Sequence, residues 1–128
     1  MIYDCFSYWD EDLLLDLRLN ILDKHVDFFV IVEGNKTWQN NPKNLRFDIN
    51  RFSKFKEKII YVPVTNMPSG INPYLRENFQ RNSIMRGLEQ CKDDDFIIIS
   101  DLDEIPNPDQ LKKFNKKMRY AVFKQSHF

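Results

Sequence analysis

Three carboxylates follow directly on a short apolar run near the end of the chain. Asp101, Asp103 and Glu104 come after the segment 96–99, which reads Phe-Ile-Ile-Ile and is rich in strand formers. Side chains two residues apart in extended backbone point to the same side, so Asp101 and Asp103 can converge on one ion. Because carboxylates crowded into four residues repel one another, a bound cation would favour this arrangement.

The chemistry that such carboxylates favour is the binding of a hard divalent cation. Mg²⁺ or Mn²⁺ prefers oxygen ligands, keeps several waters and takes further ligands from phosphate. Such an ion can stabilise the charge that develops on a departing diphosphate. The pattern predicts a metal site at Asp101 and Asp103, with Glu104 orienting a sugar hydroxyl or the metal's waters. The alternative is a set of ordinary surface acids, with Asp103 or Glu104 capping a turn.

The apolar pattern along the chain predicts an α/β fold that would position these carboxylates. Continuous apolar strands alternate with helices, which is typical of a mostly parallel sheet covered by helices on both faces. Ligands of such sheets bind at the carboxyl ends of the strands, where Glu33 and the segment 101–104 both fall. The predicted strands are 2–7, 28–32, 59–62, 96–100 and 120–123, and the predicted helices are 11–24, 51–55, 74–91 and one that begins at Asn107 and Pro108.

The first predicted helix has an amphipathic pattern and a capping residue. We expect Asp10 to cap its N-terminus. We expect Leu14, Leu17, Ile21 and Leu22 to form its buried face.

Length and composition exclude several classes of protein. The chain has 128 residues, enough for one domain, and its 19 basic and 19 acidic residues give a net charge of zero, which disfavours a nucleic-acid binder. No apolar stretch approaches the roughly 20 residues that span a bilayer, and no export signal is visible, so we expect a cytoplasmic protein. Three glycines without a glycine fingerprint disfavour a Rossmann dehydrogenase or a P-loop enzyme.

Several short motifs occur in an order that resembles a known family. They are Tyr3-Asp4-Cys5-Phe6, Arg18-Leu19-Asn20, Val32-Glu33-Gly34-Asn35, Phe79-Gln80-Arg81-Asn82 and Ser100-Asp101-Leu102-Asp103-Glu104-Ile105-Pro106. Together they resemble glycosyltransferase family 17, which includes the β-1,4-mannosyl-glycoprotein β-1,4-N-acetylglucosaminyltransferases. The resemblance covers nearly the whole chain, and its most specific part is the Asp-x-Asp-Glu-Ile-Pro element.

The resemblance implies a fold, a donor and a reaction. It implies a GT-A fold, a nucleotide-sugar donor (UDP-N-acetylglucosamine in the characterised branch), a glycan acceptor and inversion at the anomeric carbon. Proteins of this fold usually place their general base in the second half of the domain. We therefore expect residues 1–128 to be the nucleotide-sugar-binding part of one truncated GT-A domain, without the acceptor part, and we assign no catalytic base.

Two further polar residues and two tryptophans are candidates for donor contacts. Glu33 could accept hydrogen bonds from a ribose or base, or it could serve a turn. Arg81 suits a diphosphate or the acidic cluster, and the alternative is a surface pair with Glu77 four residues earlier. Trp9 and Trp38 could stack on a sugar or base, or could be core or rim aromatics.

The leading hypothesis is a metal-dependent inverting glycosyltransferase that uses Mn²⁺ or Mg²⁺. The alternative is a truncated, non-catalytic domain that binds a nucleotide sugar. A phosphotransferase with an aspartyl nucleophile is disfavoured, because its Asp-x-Asp motif normally follows the first strand and is followed by Thr or Val and Gly.

Overall fold

A computed structural model describes residues 1–37, 39–69, 72–111 and 125–127 of the chain. Its elements, in order, are β1 (Ile2–Ser7), α1 (Asp12–Leu22), β2 (Phe28–Gly34), a 3₁₀ helix (Ile49–Phe55), β3 (Ile59–Val64), α2 (Pro73–Asn82), a second 3₁₀ helix (Ser83–Gly87), β4 (Phe96–Ile99), β5 (Glu104–Pro106), α3 (Pro108–Leu111) and β6 (Gln125–His127). The first four predicted strands are confirmed with small differences at their ends. The predicted strand 120–123 lies outside the described residues.

The four long strands form one parallel sheet in the order β3-β2-β1-β4. Cys5 pairs with Val30 on one side and with Ile99 on the other, so the central strand β1 fixes the register of both neighbours. Because the four strands run in one direction, their carboxyl ends lie at one edge of the sheet. The predicted α/β class with a Rossmann-like parallel sheet is confirmed, and β5 and β6 form a separate antiparallel pair.

Apolar side chains on both faces of the sheet build two cores. One face packs Phe6, Phe29 and Ile31 against α1 and the first 3₁₀ helix. The other face packs Val30, Val32 and further strand residues against Ile84 and Leu88. Helices therefore cover both faces of the sheet at β1 and β2, whereas Ile97 and Ile99 of β4 are exposed within the described residues. Burial of the covered apolar surfaces is the main stabilising contribution to the fold. Within the described residues, no helix is both long and apolar enough to cross a membrane.

Helix α1 differs from its prediction in its start and in its buried face. Asp10 does not cap the helix. Glu11 occupies the N-cap position, and its side chain makes no capping hydrogen bond. The buried residues of the helix are Leu15, Arg18, Leu19 and Leu22. The predicted face was therefore right at Leu22, and Leu14 and Ile21 pack half-buried against the core, but Leu17 is exposed. The apolar pattern of α1 is ambiguous for two reasons. Several apolar residues are consecutive in this helix, and one of its buried positions is occupied by an arginine, which a hydrophobic pattern does not count.

The predicted helix 74–91 was too long. Helix α2 ends at Asn82, and the chain continues as a 3₁₀ helix to Gly87. A Cβ atom on Gly87 would lie 2.5 Å from Val30 Cγ1, so the backbone approaches β2 more closely than a residue with a side chain allows. This close approach fixes the chain against the sheet where a regular helix would continue.

Candidate metal and diphosphate site

An open cleft of about 350 Å³ lies at the carboxyl edge of the sheet. It is bounded by the end of β1, the start of α1, one side of α2 and the segment that follows β4. The residues that line it are Ser7, Trp9, Glu11, Leu14, Glu77, Arg81, Asp101, Leu102 and Asp103. The cleft therefore lies where parallel α/β sheets bind their ligands.

The predicted acidic residues meet at one end of this cleft. Asp101, Asp103 and Glu104 each offer a carboxylate oxygen, and these oxygens lie within 4.8 Å of one another. Two ligands on opposite sides of a Mg²⁺ ion are about 4.2 Å apart, so small rotations would bring these oxygens onto one ion. The all-oxygen donor set fits a hard divalent cation. We name residues 100–104, which carry these side chains, the acidic loop.

The electrostatics of the acidic loop favour a positive charge. Burial raises the pKa of Asp101 above its ordinary value, and the hydrogen-bonded Glu104 carboxylate raises this pKa further. Arg81 and Arg18 act in the opposite direction on the same pKa. The backbone N–H of Asp101 also donates to Glu104 Oε1 at 3.2 Å. A cation between these carboxylates would relieve their repulsion.

Arg81 lies beside the acidic loop and makes both contacts that the sequence allowed. Its Nη2 atom is 3.5 Å from Glu77 Oε1 and 3.8 Å from Asp101 Oδ1. The Arg81 side chain is half exposed, and ion pairs of this kind contribute little to stability. Its guanidinium can therefore turn toward an anion in the cleft at small energetic cost.

Glu33 is fully buried and is not among the residues that line the cleft. Its Oε2 atom accepts from Lys43 Nζ at 2.6 Å and from the N–H of Arg46 at 2.7 Å. Its Oε1 atom accepts from the N–H of Phe47 at 3.0 Å and from the Tyr61 hydroxyl at 2.8 Å. These contacts occupy both carboxylate oxygens and support the turn role. They leave the predicted contact with a ribose or base without structural support.

Of the two candidate tryptophans, the structure describes only Trp9. Trp9 lines the cleft, and Lys43 Nζ lies 5.7 Å from the centroid of its ring. Trp38 lies outside the described residues.

Sequence reasoning missed a buried ion pair beneath the acidic loop. Asp4 on β1 and Arg18 on α1 have fully buried side chains, and Arg18 Nη2 lies 2.6 Å from Asp4 Oδ1. Arg18 also donates to the backbone of Asp101 at 2.7 Å. The available signal was a pair of charged residues at strand and helix positions whose sequence neighbours are apolar.

These features define a class of protein. The fold is a Rossmann-like α/β sheet, and the acidic side chains that follow β4 share a cleft with Arg81. The chain belongs to glycosyltransferase family 17, whose family model matches residues 1–121. The family resemblance predicted from the sequence is confirmed.

Three curated relatives share the name beta-1,4-mannosyl-glycoprotein 4-beta-N-acetylglucosaminyltransferase. The proteins from Homo sapiens and Rattus norvegicus are each 34% identical to this chain over 107 residues. The protein from Mus musculus is 33% identical over the same length. Each alignment covers 75% of this chain and 20% of the relative, so the match spans about one fifth of the length of those proteins. No solved structure matches the chain.

Proposed function

We propose that this chain is the donor-binding part of a GT-A glycosyltransferase domain. In this proposal Asp101 and Asp103 hold Mn²⁺ or Mg²⁺, and the cleft takes the diphosphate of a nucleotide sugar. The observation that carries the proposal is the meeting of Asp101, Asp103 and Arg81 in one cleft at the carboxyl edge of a family 17 sheet. The names of the relatives support N-acetylglucosamine as the sugar and a glycan as the acceptor.

The described side chains would divide the work of donor binding. A divalent ion held here would neutralise charge that develops on the departing diphosphate. Arg81 faces the same cleft, and its planar guanidinium suits phosphate oxygens. Glu104 lies beside the metal ligands and would orient the metal's waters or a sugar hydroxyl. Trp9 lines the cleft wall and would stack on the sugar or the base.

The proposed reaction is a direct displacement with inversion. The acceptor hydroxyl oxygen forms a bond to the anomeric carbon while the bond from that carbon to the diphosphate breaks. The electron pair of the broken bond leaves with the diphosphate, and the hydroxyl proton passes to a base that we do not assign to this chain.

A second candidate function is nucleotide-sugar binding without transfer. It requires only the cleft, and the match to the relatives spans about a fifth of their length. Hydrolysis of UDP-N-acetylglucosamine by this chain, measured beside a version extended to the length of the relatives, separates the two functions. Turnover by the extended version but not by this chain would assign nucleotide-sugar binding to this chain and catalysis to the longer protein.

Calorimetric titration of the chain with UDP and Mn²⁺ tests the metal assignment. We expect UDP to bind in the presence of Mn²⁺ and to be released by a chelator. Asp103→Asn should weaken Mn²⁺-dependent UDP binding by more than about a hundredfold. The substitution removes a direct metal ligand, and even the loss of a residue that only hydrogen-bonds to a ligand typically costs 10–100-fold in metal affinity. The matched control is Asp93→Asn, the same change at an exposed acid outside the cleft. Equal affinity in wild type and Asp103→Asn would end the metal assignment.

A further inference from the structure

The side chains of Asp4 and Arg18 form a fully buried ion pair at the centre of the domain. Arg18 Nε donates to Asp4 Oδ2 at 2.8 Å, and Nη2 donates to Oδ1 at 2.6 Å. The guanidinium also lies 4.6 Å from the centroid of the Phe6 ring. Removing two charges from water costs about as much as their attraction returns, and apolar residues of similar volume often stabilise a core as well. Stability alone therefore does not account for this pair.

The remaining donors of the Arg18 guanidinium all face the acidic loop. Nη1 lies 2.7 Å from the carbonyl oxygen of Asp101, 3.3 Å from that of Leu102 and 3.2 Å from that of Glu104. Nη2 donates to Ser100 Oγ at 2.7 Å. The Ser100 hydroxyl in turn donates to the Glu104 carbonyl at 3.0 Å. One side chain thus binds four residues of the loop that carries the proposed metal ligands.

Three carbonyl oxygens that converge on one point repel one another unless a cation lies between them. The Arg18 guanidinium supplies this positive charge in a water-free position, where its hydrogen bonds are strong. The turn is closed by the N–H of Glu104, which donates to the Asp101 carbonyl at 2.9 Å. The carbonyls of Asp101 and Leu102 thus face Arg18, while the Asp101 and Asp103 side chains line the cleft.

We propose that Arg18, held in place by Asp4, is the positioning residue of the acidic loop. It fixes the backbone of residues 100–104 so that the carboxylates of Asp101, Asp103 and Glu104 present oxygens to one cation. The effect of this positioning role on metal affinity rests on the function proposed above. The geometry requires arginine, because a lysine ammonium cannot bind a carboxylate through two parallel N–H groups and also reach the loop carbonyls.

Two variants test the role of Arg18 without leaving a buried charge unpaired. Arg18→Lys keeps a positive charge beside Asp4 but loses the planar fork. The double variant Asp4→Leu/Arg18→Met replaces the pair with apolar side chains of similar volume, which is often tolerated in a core. The matched control is Leu22→Ala, which removes a fully buried side chain one helical turn further along α1 and so lowers stability without touching the Arg18 contacts.

Three measurements on the full chain separate positioning from stability. They are the melting temperature, Mn²⁺ affinity and hydrogen exchange of the Asp101 and Glu104 amides without metal. We expect both Arg18 variants to remain folded, to bind Mn²⁺ about 10–100-fold more weakly and to exchange these amides faster than wild type. Leu22→Ala should lower the melting temperature yet leave the Mn²⁺ affinity of the folded protein and the exchange of these two amides close to wild type.

The behaviour of the Arg18 variants distinguishes a positioning role from a purely structural one. Folded Arg18 variants with wild-type Mn²⁺ affinity or unchanged amide exchange would overturn the positioning role. Unfolding of both variants would make the pair a structural element and would also contradict it. If wild type binds no Mn²⁺, or if Asp103→Asn binds it equally well, the metal assignment fails. The exchange of the Asp101 and Glu104 amides then decides the positioning role by itself.

Discussion

Two loops at the carboxyl edge of the sheet are each anchored by a buried charged side chain. Glu33 accepts hydrogen bonds from residues 42–47, which we name the Glu33 loop, through the N–H groups of Arg46 and Phe47. Arg18 donates hydrogen bonds to carbonyl oxygens of the acidic loop. The anchors have opposite charge, and each matches the backbone groups that its loop turns inward.

The two loops differ in what their side chains face. The Glu33 loop packs Phe47 against Tyr61 with ring centroids 4.9 Å apart, and stacks it on Phe52 as well. The acidic loop turns Asp101 and Asp103 toward the cleft. A buried charge at a strand end therefore does not identify a binding site. The proposed site is distinguished instead by the side chains that the anchored loop sends into the cleft, and this separates Asp101 from Glu33, although both are acids at strand ends.

The largest expected effect on stability comes from removing the anchor of the Glu33 loop. Glu33→Ala leaves Lys43, two backbone N–H groups and the Tyr61 hydroxyl without their acceptor, so we expect a loss of about 3–5 kcal/mol in the free energy of unfolding. Urea denaturation measures this loss. Mn²⁺ affinity of the folded protein should be unchanged, because Glu33 is not among the residues that line the cleft. Weaker Mn²⁺ binding by folded Glu33→Ala would bring Glu33 back into the donor site.

Two hydroxyl deletions, one at the anchor of each loop, should each reduce stability less than Glu33→Ala does. They should differ in their effect on Mn²⁺ binding. Tyr61→Phe removes a donor to Glu33, and Ser100→Ala removes an acceptor for Arg18. Each should lower the free energy of unfolding by about 1.5–3 kcal/mol, the usual range for a hydrogen bond to a charged group. Only Ser100→Ala should weaken Mn²⁺ binding, which calorimetry would show. Equal Mn²⁺ affinity in the two variants would remove the distinction between the loops.

Local signals in the sequence were sufficient for the sheet and for the acidic cluster. Continuous apolar runs such as 28–32 and 96–99 predicted strands of a parallel sheet, and parallel topology brings strand ends to one edge. The first run is buried on both faces, whereas Ile97 and Ile99 of the second are exposed within the described residues. The positions of Asp101 and Asp103 followed from these two facts. The sequence left Arg81 open between the acidic cluster and a pair with Glu77, and the structure places it within 4 Å of both Glu77 and Asp101.

The roles of the buried charges could not be predicted in the same way. Arg18 occupies a helix position between leucines, and its partner Asp4 lies on another element, so no periodic pattern links the two. The exposed Leu17 and the buried Arg18 are adjacent and reverse the usual preference of their residue types. Glu33 presented the opposite difficulty. Its position at a strand end suggested a ligand, whereas its partners are two side chains and two backbone N–H groups that lie ten or more residues away in the chain.

The smallest expected effect on stability, and a selective effect on binding, belongs to Arg81. Arg81→Met should change the free energy of unfolding by less than about 0.5 kcal/mol, because the Arg81 side chain is half exposed and its ion pairs are long. Calorimetry should find UDP binding in the presence of Mn²⁺ about tenfold weaker, which corresponds to one charged hydrogen bond to phosphate. Mn²⁺ alone should bind as well as to wild type or better, because a positive charge 3.8 Å from Asp101 is removed.

This selectivity distinguishes Arg81 from the anchors of both loops. Loss of Glu33 should reduce stability alone, and loss of Ser100 should reduce both stability and metal affinity. Arg86→Met is the matched control, since Arg86 is an exposed arginine close to Arg81 in sequence but outside the residues that line the cleft. If Arg81→Met weakened Mn²⁺ and Mn²⁺–UDP binding equally, Arg81 would support the acidic loop rather than the diphosphate. The acidic loop would then depend on a second cation from α2 in addition to Arg18.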